Sequence, residues 1–124
     1  MKKLKWGRIV NITSCAGLEN MGPVTYGVAK AALTAYTRTM GRILATESKN
    51  IVMSAVFPGV VLTKGGHWDK VLKSNPKRAQ KYLKERAPLG RFGRPDEIAP
   101  VVVFYLAGIS ILIRWVPCYH FPYI

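Results

Sequence analysis

Carboxylates are scarce in this 124-residue chain. Six Asp and Glu stand against 19 Lys and Arg, a formal net charge of +13 at pH 7. Cysteine and histidine are scarcer, with two of each. Cys15 and Cys118 lie far apart without metal or redox spacing. They build neither a metal site nor a disulfide framework, and a reducing, cytoplasmic compartment is the expectation. His67 and His120 have no neighbours in sequence to complete a triad or a metal set. There is no internal repeat and no low-complexity tract. The basic opening MKKLKW is not followed by the apolar core of a secretion signal, because Gly7 and Arg8 intervene and Asn11 breaks the next apolar run. The uncharged stretch Ile98–Ile113 holds 16 residues with Pro100 inside it, short of the roughly 20 that span a bilayer, so a membrane anchor is not expected. The length suits one domain at most, and 49% apolar residues suffice for a core, which excludes disorder.

The basic excess invites a nucleic-acid reading. Lys70, Lys73, Lys77, Lys81 and Lys84 follow at steps of three and four, with Arg78 and Arg86 nearby, and would form one helical stripe. Val71, Leu72, Ala79 and Leu83 fall towards another side. That is the pattern of a solvated helix face, and no nucleic-acid module or aromatic RNA platform accompanies it. A non-enzymatic basic module that binds nucleic acid or another acidic partner is kept as the alternative.

Read along the chain, Arg8–Ser14 is an expected strand, rich in β-branched residues and bounded by glycines. Its nearly unbroken apolar run suits a strand buried on both faces of a parallel sheet. Residues 15–24 form a loop marked by Gly17, Asn20, Gly22 and Pro23. Thr25 is the expected N-cap of a long helix to about Glu47, whose small and apolar residues cover much of its circumference. Such a helix packs on a sheet with one side and on a partner subunit with another. Ile51–Phe57 is a second buried strand, stopped by Pro58-Gly59. Strand, helix and strand make a βαβ unit with parallel strands. Ligands of such sheets bind beyond the carboxyl ends of the strands, which brings Ser14, the Tyr26–Lys30 turn and the Pro58 loop to one edge. Residues 60–95 form a long excursion with a Gly65-Gly66 hinge and a basic helix from about His67 to Glu85, the expected lid or substrate loop. Asp96 caps a further helix from Glu97 to about Leu106. Trp68 and Tyr82 are expected to pack within the lid.

Tyr26 and Lys30 stand at i and i+4, so both side chains leave one helix face. A cation within about 4–6 Å of a phenol favours the phenolate, which makes the pair a candidate acid–base device. Ser14 is a candidate to hold a substrate oxygen, with Thr13 as the alternative hydroxyl.

These residues resemble the short-chain dehydrogenase/reductase family. GRIVNITS (7–14) resembles the strand that leads to its catalytic serine, with Ala16-Gly17 after it. Tyr26-x-x-x-Lys30-Ala31-Ala32-Leu33 resembles its catalytic helix, PGVVLT (58–63) its Pro-Gly cofactor loop, and PLGRFGRPDEIA (88–99) the start of its next-to-last helix. The resemblance spans roughly residues 1–107, and 108–124 read as an atypical tail. It implies the C-terminal half of an α/β domain with a partial Rossmann-like, doubly wound parallel sheet: a βαβ core plus lid helices, incomplete. It further implies an NAD(P)-dependent oxidoreductase interconverting a small-molecule alcohol and ketone by hydride transfer, and a homo-oligomer formed through the Tyr26–Lys30 helix. By resemblance Ser14, Tyr26 and Lys30 are catalytic. Ser14 hydrogen-bonds the substrate oxygen, Tyr26 exchanges the proton, and Lys30 lowers the Tyr26 pKa and holds the nicotinamide ribose. Tyr26, Lys30, Pro58, Gly59, Val61 and Thr63 are implied to bind NAD or NADP. The basic residues of 64–94 suit an anionic or acyl-carrier substrate.

Two parts of the family pattern have no match here. No Gly-x-x-x-Gly-x-Gly turn for a pyrophosphate occurs, so tight cofactor binding and full activity of this chain alone are not expected. The family's final strand and its Asp-Gly-Gly turn are replaced by AGISILIRWVPCYHFPYI. Codons exist for Trp115–Phe121 that, read one base earlier, encode Gly-Ala-Met-Leu-Pro-Phe, similar to that strand. A frameshift is therefore an expectation that the nucleotide sequence decides.

Overall fold

The computed structural model describes residues 1, 3–19, 22–108 and 118–119. The fold begins with β1 (Gly7–Ile12), a single turn of 3-10 helix (Cys15–Gly17), the long helix α1 (Val24–Glu47) and β2 (Ile51–Phe57). Two short helices follow in the stretch expected to form a lid, α2 (His67–Ser74) and α3 (Pro76–Arg86), and then α4 (Pro95–Leu106). A two-residue strand, β3 (Cys118–Tyr119), closes the set.

β1 and β2 pair in parallel, from Gly7 opposite Ile51 to Ile12 opposite Val56. β3 adds to the far edge of β2, beside Val56 and Phe57, giving the order β1-β2-β3. Along β2 the consecutive residues Ile51, Val52 and Met53 are all buried. Since successive strand side chains alternate between faces, both faces are covered. α1 and α4 both pack against the strands and supply that cover. The approach of α1 is close: a Cβ on Gly41 would stand 3.3 Å from the Met53 carbonyl oxygen. One polar link crosses the same interface. Asn11 Nδ2 donates to Thr37 Oγ1 at 2.8 Å, and that buried hydroxyl donates to the Leu33 carbonyl at 2.7 Å. The α/β architecture with parallel strands is the one expected from the sequence.

Four local expectations change, and one of them is at α4, which begins at Pro95 with Arg94 at its N-cap, so that Asp96 falls inside the first turn. The strand ends at Ile12 rather than Ser14, although Thr13 keeps a ladder-like bond from its N–H to the Val56 carbonyl at 2.8 Å. Pro23, not Thr25, stands at the N-cap of α1, with φ −62° and no side-chain cap. Its fixed φ suits the entry to a helix, and Thr25 falls inside the first turn. The single basic helix expected over 67–85 is two helices. Asn75 ends α2 and caps α3 by accepting from the Arg78 N–H at 3.0 Å, and Pro76 occupies the first turn of α3. Proline lacks the N–H that would continue α2, so the break is local chemistry. The lysine stripe is thereby divided between two helices. The tail expectations, the frameshift included, lie outside the described residues except at Gly108, Cys118 and Tyr119. Among the described residues no helix is long and apolar enough to cross a membrane.

Gly17 sets the spacing between the 3-10 turn and the stretch of α1 at Lys30 and Ala31. A Cβ there would lie 2.7 Å from the Ala31 backbone nitrogen and from the Lys30 carbonyl carbon. Gly17→Ala should lower the unfolding midpoint, with a cost of about 1–3 kcal/mol for forcing backbone apart. Gly59→Ala, which meets nothing within 4 Å, should stay within about 0.5 kcal/mol of the parent. Equal midpoints for the two variants in urea denaturation would contradict this packing.

Candidate active site

The carboxyl ends of β1 and β2 are tied side by side. Thr13 Oγ1 donates to the Val56 carbonyl at 2.8 Å, and the Cys15 N–H donates to the Pro58 carbonyl at 3.3 Å. Beyond these ends lies an open cleft of about 730 Å³, within the range of roughly 300–1,000 Å³ usual for small-molecule sites. All seven residues singled out from the sequence line it: Ser14, Tyr26, Lys30, Pro58, Gly59, Val61 and Thr63.

Thr13 and Ser14 are now distinguishable. Thr13 is 2% exposed and its hydroxyl proton goes to Val56. Ser14 Oγ accepts from the Ala16 N–H at 3.2 Å, which leaves its own proton free to donate into the cleft. Tyr26 is 46% exposed, and Lys30 Nζ lies 5.7 Å from its ring centroid. One ammonium proton of Lys30 is held by the Ile12 carbonyl at 2.9 Å, at the last residue of β1. An ammonium has three N–H donors, so two remain for a ligand. Cys15 sits between the two strand ends with its thiol 3.5 Å from the Phe57 carbonyl. Burial, reinforced by the Glu19 carboxylate, pushes its pKa up, so it remains a thiol.

The Pro58–Thr63 loop is braced from the lid. Val61 and Gly93 form an isolated parallel bridge, with the Gly93 N–H on the Val60 carbonyl at 2.8 Å and the Leu62 N–H on the Gly93 carbonyl at 2.9 Å. The segment carrying Gly93 is in turn locked to α4. Arg91 Nη2 meets Glu97 Oε1 at 2.6 Å, Arg91 Nη1 meets Glu97 Oε2 at 2.9 Å, and the Arg94 N–H donates to Glu97 Oε2 at 2.7 Å. This bracing was not legible in the sequence. The Arg91 and Glu97 spacing carries no signal by itself, and the bridge depends on how the loop returns.

The lid supplies the far wall. Trp68 stacks on Tyr82 at 4.2 Å between ring centroids and on Phe92 at 5.3 Å. Trp68 and Tyr82, expected only to pack the lid, also line the cleft, as do His67 and Arg86. No cluster of three metal-ligating side chains occurs among the described residues.

The donors at the cleft suit the nicotinamide end of a dinucleotide. Two free ammonium protons and a phenol match a ribose diol. Gly59 has no positive φ and no neighbour that a Cβ would strike. Neither backbone conformation nor packing requires glycine there, while the close approach of a flat ligand would.

A family model described as Enoyl-(Acyl carrier protein) reductase matches residues 1–111. The chain belongs to the short-chain dehydrogenase/reductase family. It is 40% identical over 111 residues to the 3-oxoacyl-[acyl-carrier-protein] reductase FabG of Aquifex aeolicus, covering 89% of this chain and 42% of that protein. Among solved structures it is similar to NAD+-bound xylitol dehydrogenase, with 31% identity, a TM-score of 0.78, and 90% and 46% of the two chains covered. It is similar also to an NADP-bound 3-oxoacyl (acyl-carrier-protein) reductase of Agrobacterium tumefaciens, with 27% identity, the same TM-score, and 90% and 42% covered. The chain thus spans less than half the length of each of these relatives. As a short-chain dehydrogenase/reductase segment it corresponds to the C-terminal half of the domain, with the fold of an oxidoreductase.

The Arg91–Glu97 lock has a pH signature. Hydrogen bonds from Arg91 and from the Arg94 backbone hold the Glu97 carboxyl at a pKa of about 2, below its ordinary 4.5. A lowered folded pKa stabilises the fold at pH above about 4.5, and that contribution is lost as pH falls towards about 2. Glu97→Gln should flatten this part of the stability profile. Melting curves between pH 6 and pH 2.5 that fall equally steeply in both proteins would remove the lock from the account.

Proposed function

We infer that this segment supplies the proton-transfer and nicotinamide-facing half of an NAD(P)-dependent oxidoreductase that interconverts an alcohol and a ketone. The observation that carries the reading is the convergence of Ser14, Tyr26 and Lys30 with the Pro58–Thr63 loop on one cleft. Pro58, Gly59, Val61 and Thr63 would hold the nicotinamide ring, which when bound would supply or accept the hydride. Ser14 donates its hydrogen bond to the substrate oxygen. Tyr26 gives that oxygen a proton in reduction and takes it back in oxidation. Lys30, anchored on the Ile12 carbonyl, holds the ribose hydroxyls with its two remaining N–H groups and keeps a positive charge beside the phenol.

The reading extends to assembly and place. α1 leaves Val24, Val28, Tyr36 and Ile43 exposed, which supports a homo-oligomer joined through this helix; the scarcity of cysteine suits work in a reducing cytoplasm. The alternative, a basic module for nucleic acid, draws no support: the lysines are divided between two helices, and Lys73 and Lys81 pair with Asp69 and Glu85.

Because the chain carries the nicotinamide side of the site, reduced nicotinamide mononucleotide, which lacks the adenosine half, should bind it about as well as NADH or NADPH. Titration followed by nicotinamide fluorescence measures this. Lys30→Met should weaken all three by about tenfold or more, the value of hydrogen bonds from a charged donor. Tyr26→Phe should weaken binding much less than Lys30→Met does, through loss of one neutral hydrogen bond, and lower ketone-dependent oxidation of NADPH by about 100-fold or more. Absence of binding for all three at about 10 mM, a strength of only some 3 kcal/mol, would reject the reading.

A further inference from the structure

We propose that Arg86 forms an anion-recognising subsite on the lid wall of the cleft, selecting substrates whose ketone carries a carboxylate or phosphate group further along the molecule. The proposal rests on the functional reading above and names a specificity residue for it.

Its basis is the position of Arg86 on α3. Ala79, Tyr82 and Arg86 follow at steps of three and four, so they share one helix face. Ala79 is fully buried, and Tyr82 is half-buried against Trp68. Arg86 therefore falls on the same side of α3 as these residues, at its exposed C-terminal end. Lys77, Lys81 and Lys84 fall about 140–200° round the helix from Ala79, at 100° per residue, on the solvent side. Of the basic residues on α3, Arg86 lines the cleft. An arginine at the rim of such a cleft can lay its stem along an apolar wall while its guanidinium stays in solvent, within reach of a bound anion.

The charge of Arg86 is also unmatched. Asp69 is held by Lys73, Glu85 by Lys81, Glu97 by Arg91 and Asp96 by Arg94. Glu19 lines the same cleft but forms no ion pair with Arg86, which makes none with any described residue. Lys30 is the other cation of the cleft and is anchored at the strand end. A substrate whose ketone sits between Ser14 and Tyr26 and whose anionic end reaches the lid meets a planar, bidentate donor suited to an oxyanion. Trp68 and Tyr82, which line the same cleft, present an apolar surface for the intervening carbons.

The test uses the complete chain and two matched pairs of ketones. Levulinate and methyl levulinate differ in a carboxylate charge. Dihydroxyacetone phosphate and dihydroxyacetone differ in a phosphate. Dissociation constants are read by ligand-observed NMR for the parent, Arg86→Met, Arg86→Lys and Lys81→Met. The charged member of at least one pair should bind more tightly than its neutral partner, and the pair that does so identifies carboxylate or phosphate. Arg86→Met should weaken that ligand by about tenfold or more and leave the neutral ketone unchanged. Arg86→Lys should restore part of the difference. Lys81→Met, on the solvent side of the same helix, should change nothing beyond a small effect that salt removes. If ketones bind but charged and neutral members lose affinity equally in Arg86→Met, or Arg86→Met loses none, the subsite is refuted while the functional reading stands. If no ketone binds and reduced nicotinamide mononucleotide does not bind either, both fall together.

Discussion

Two strand ends held in register are the constraint on which the rest of this structure depends. The parallel ladder of β1 and β2 does not stop with the strands. It is prolonged by both the amide and the hydroxyl of Thr13 on the Val56 carbonyl, and by the Cys15 amide on Pro58. Buried backbone groups left unpaired there would each cost about 1–3 kcal/mol, so the continuation is strongly favoured. Its consequence is geometric. Ser14, which follows Thr13, faces the cleft, and Gly59, which follows Pro58, faces the same space. Everything chemical in the site is then a matter of which elements reach this edge.

α1 reaches it through small residues. Gly17 admits the backbone of Ala31 and Lys30, and Gly41 admits the Met53 carbonyl. A helix brought this close lets a lysine four residues after a tyrosine grip the end of the neighbouring strand. The lid reaches the edge by a different route. Its return passes alongside the Pro58–Thr63 loop at Val61 and Gly93, and the carboxylate of Glu97 fastens that return to α4. The Pro58–Thr63 side of the cleft and its lid side are thus parts of one hydrogen-bonded circuit.

Much of this was legible in the sequence because it follows from short-range rules. Apolar runs of strand length, the i, i+4 spacing of Tyr26 and Lys30, and the tendency of parallel sheets to bind ligands at carboxyl ends locate the site before any coordinates. What escaped has physical reasons. The choice between Thr13 and Ser14 depends on which hydroxyl finds the Val56 carbonyl, a tertiary fact. The Asn75–Pro76 break was masked by a lysine spacing that continues through it, and proline chemistry prevailed over the pattern. The Val61–Gly93 bridge joins residues far apart in sequence with no shared periodicity. Arg86 stands near the lysine stripe in sequence, yet its spacing from Ala79 and Tyr82 places it towards the other side of α3.

Lys30 illustrates what such tethering means for binding. A free lysine side chain carries about 2 kcal/mol of rotamer entropy, which a ligand must ordinarily quench as it binds. Here the Ile12 carbonyl has already fixed the ammonium, so the ordering belongs to folding. A partner molecule arriving at the cleft finds the cation waiting in one conformation, and its affinity is not diminished by the act of arranging it.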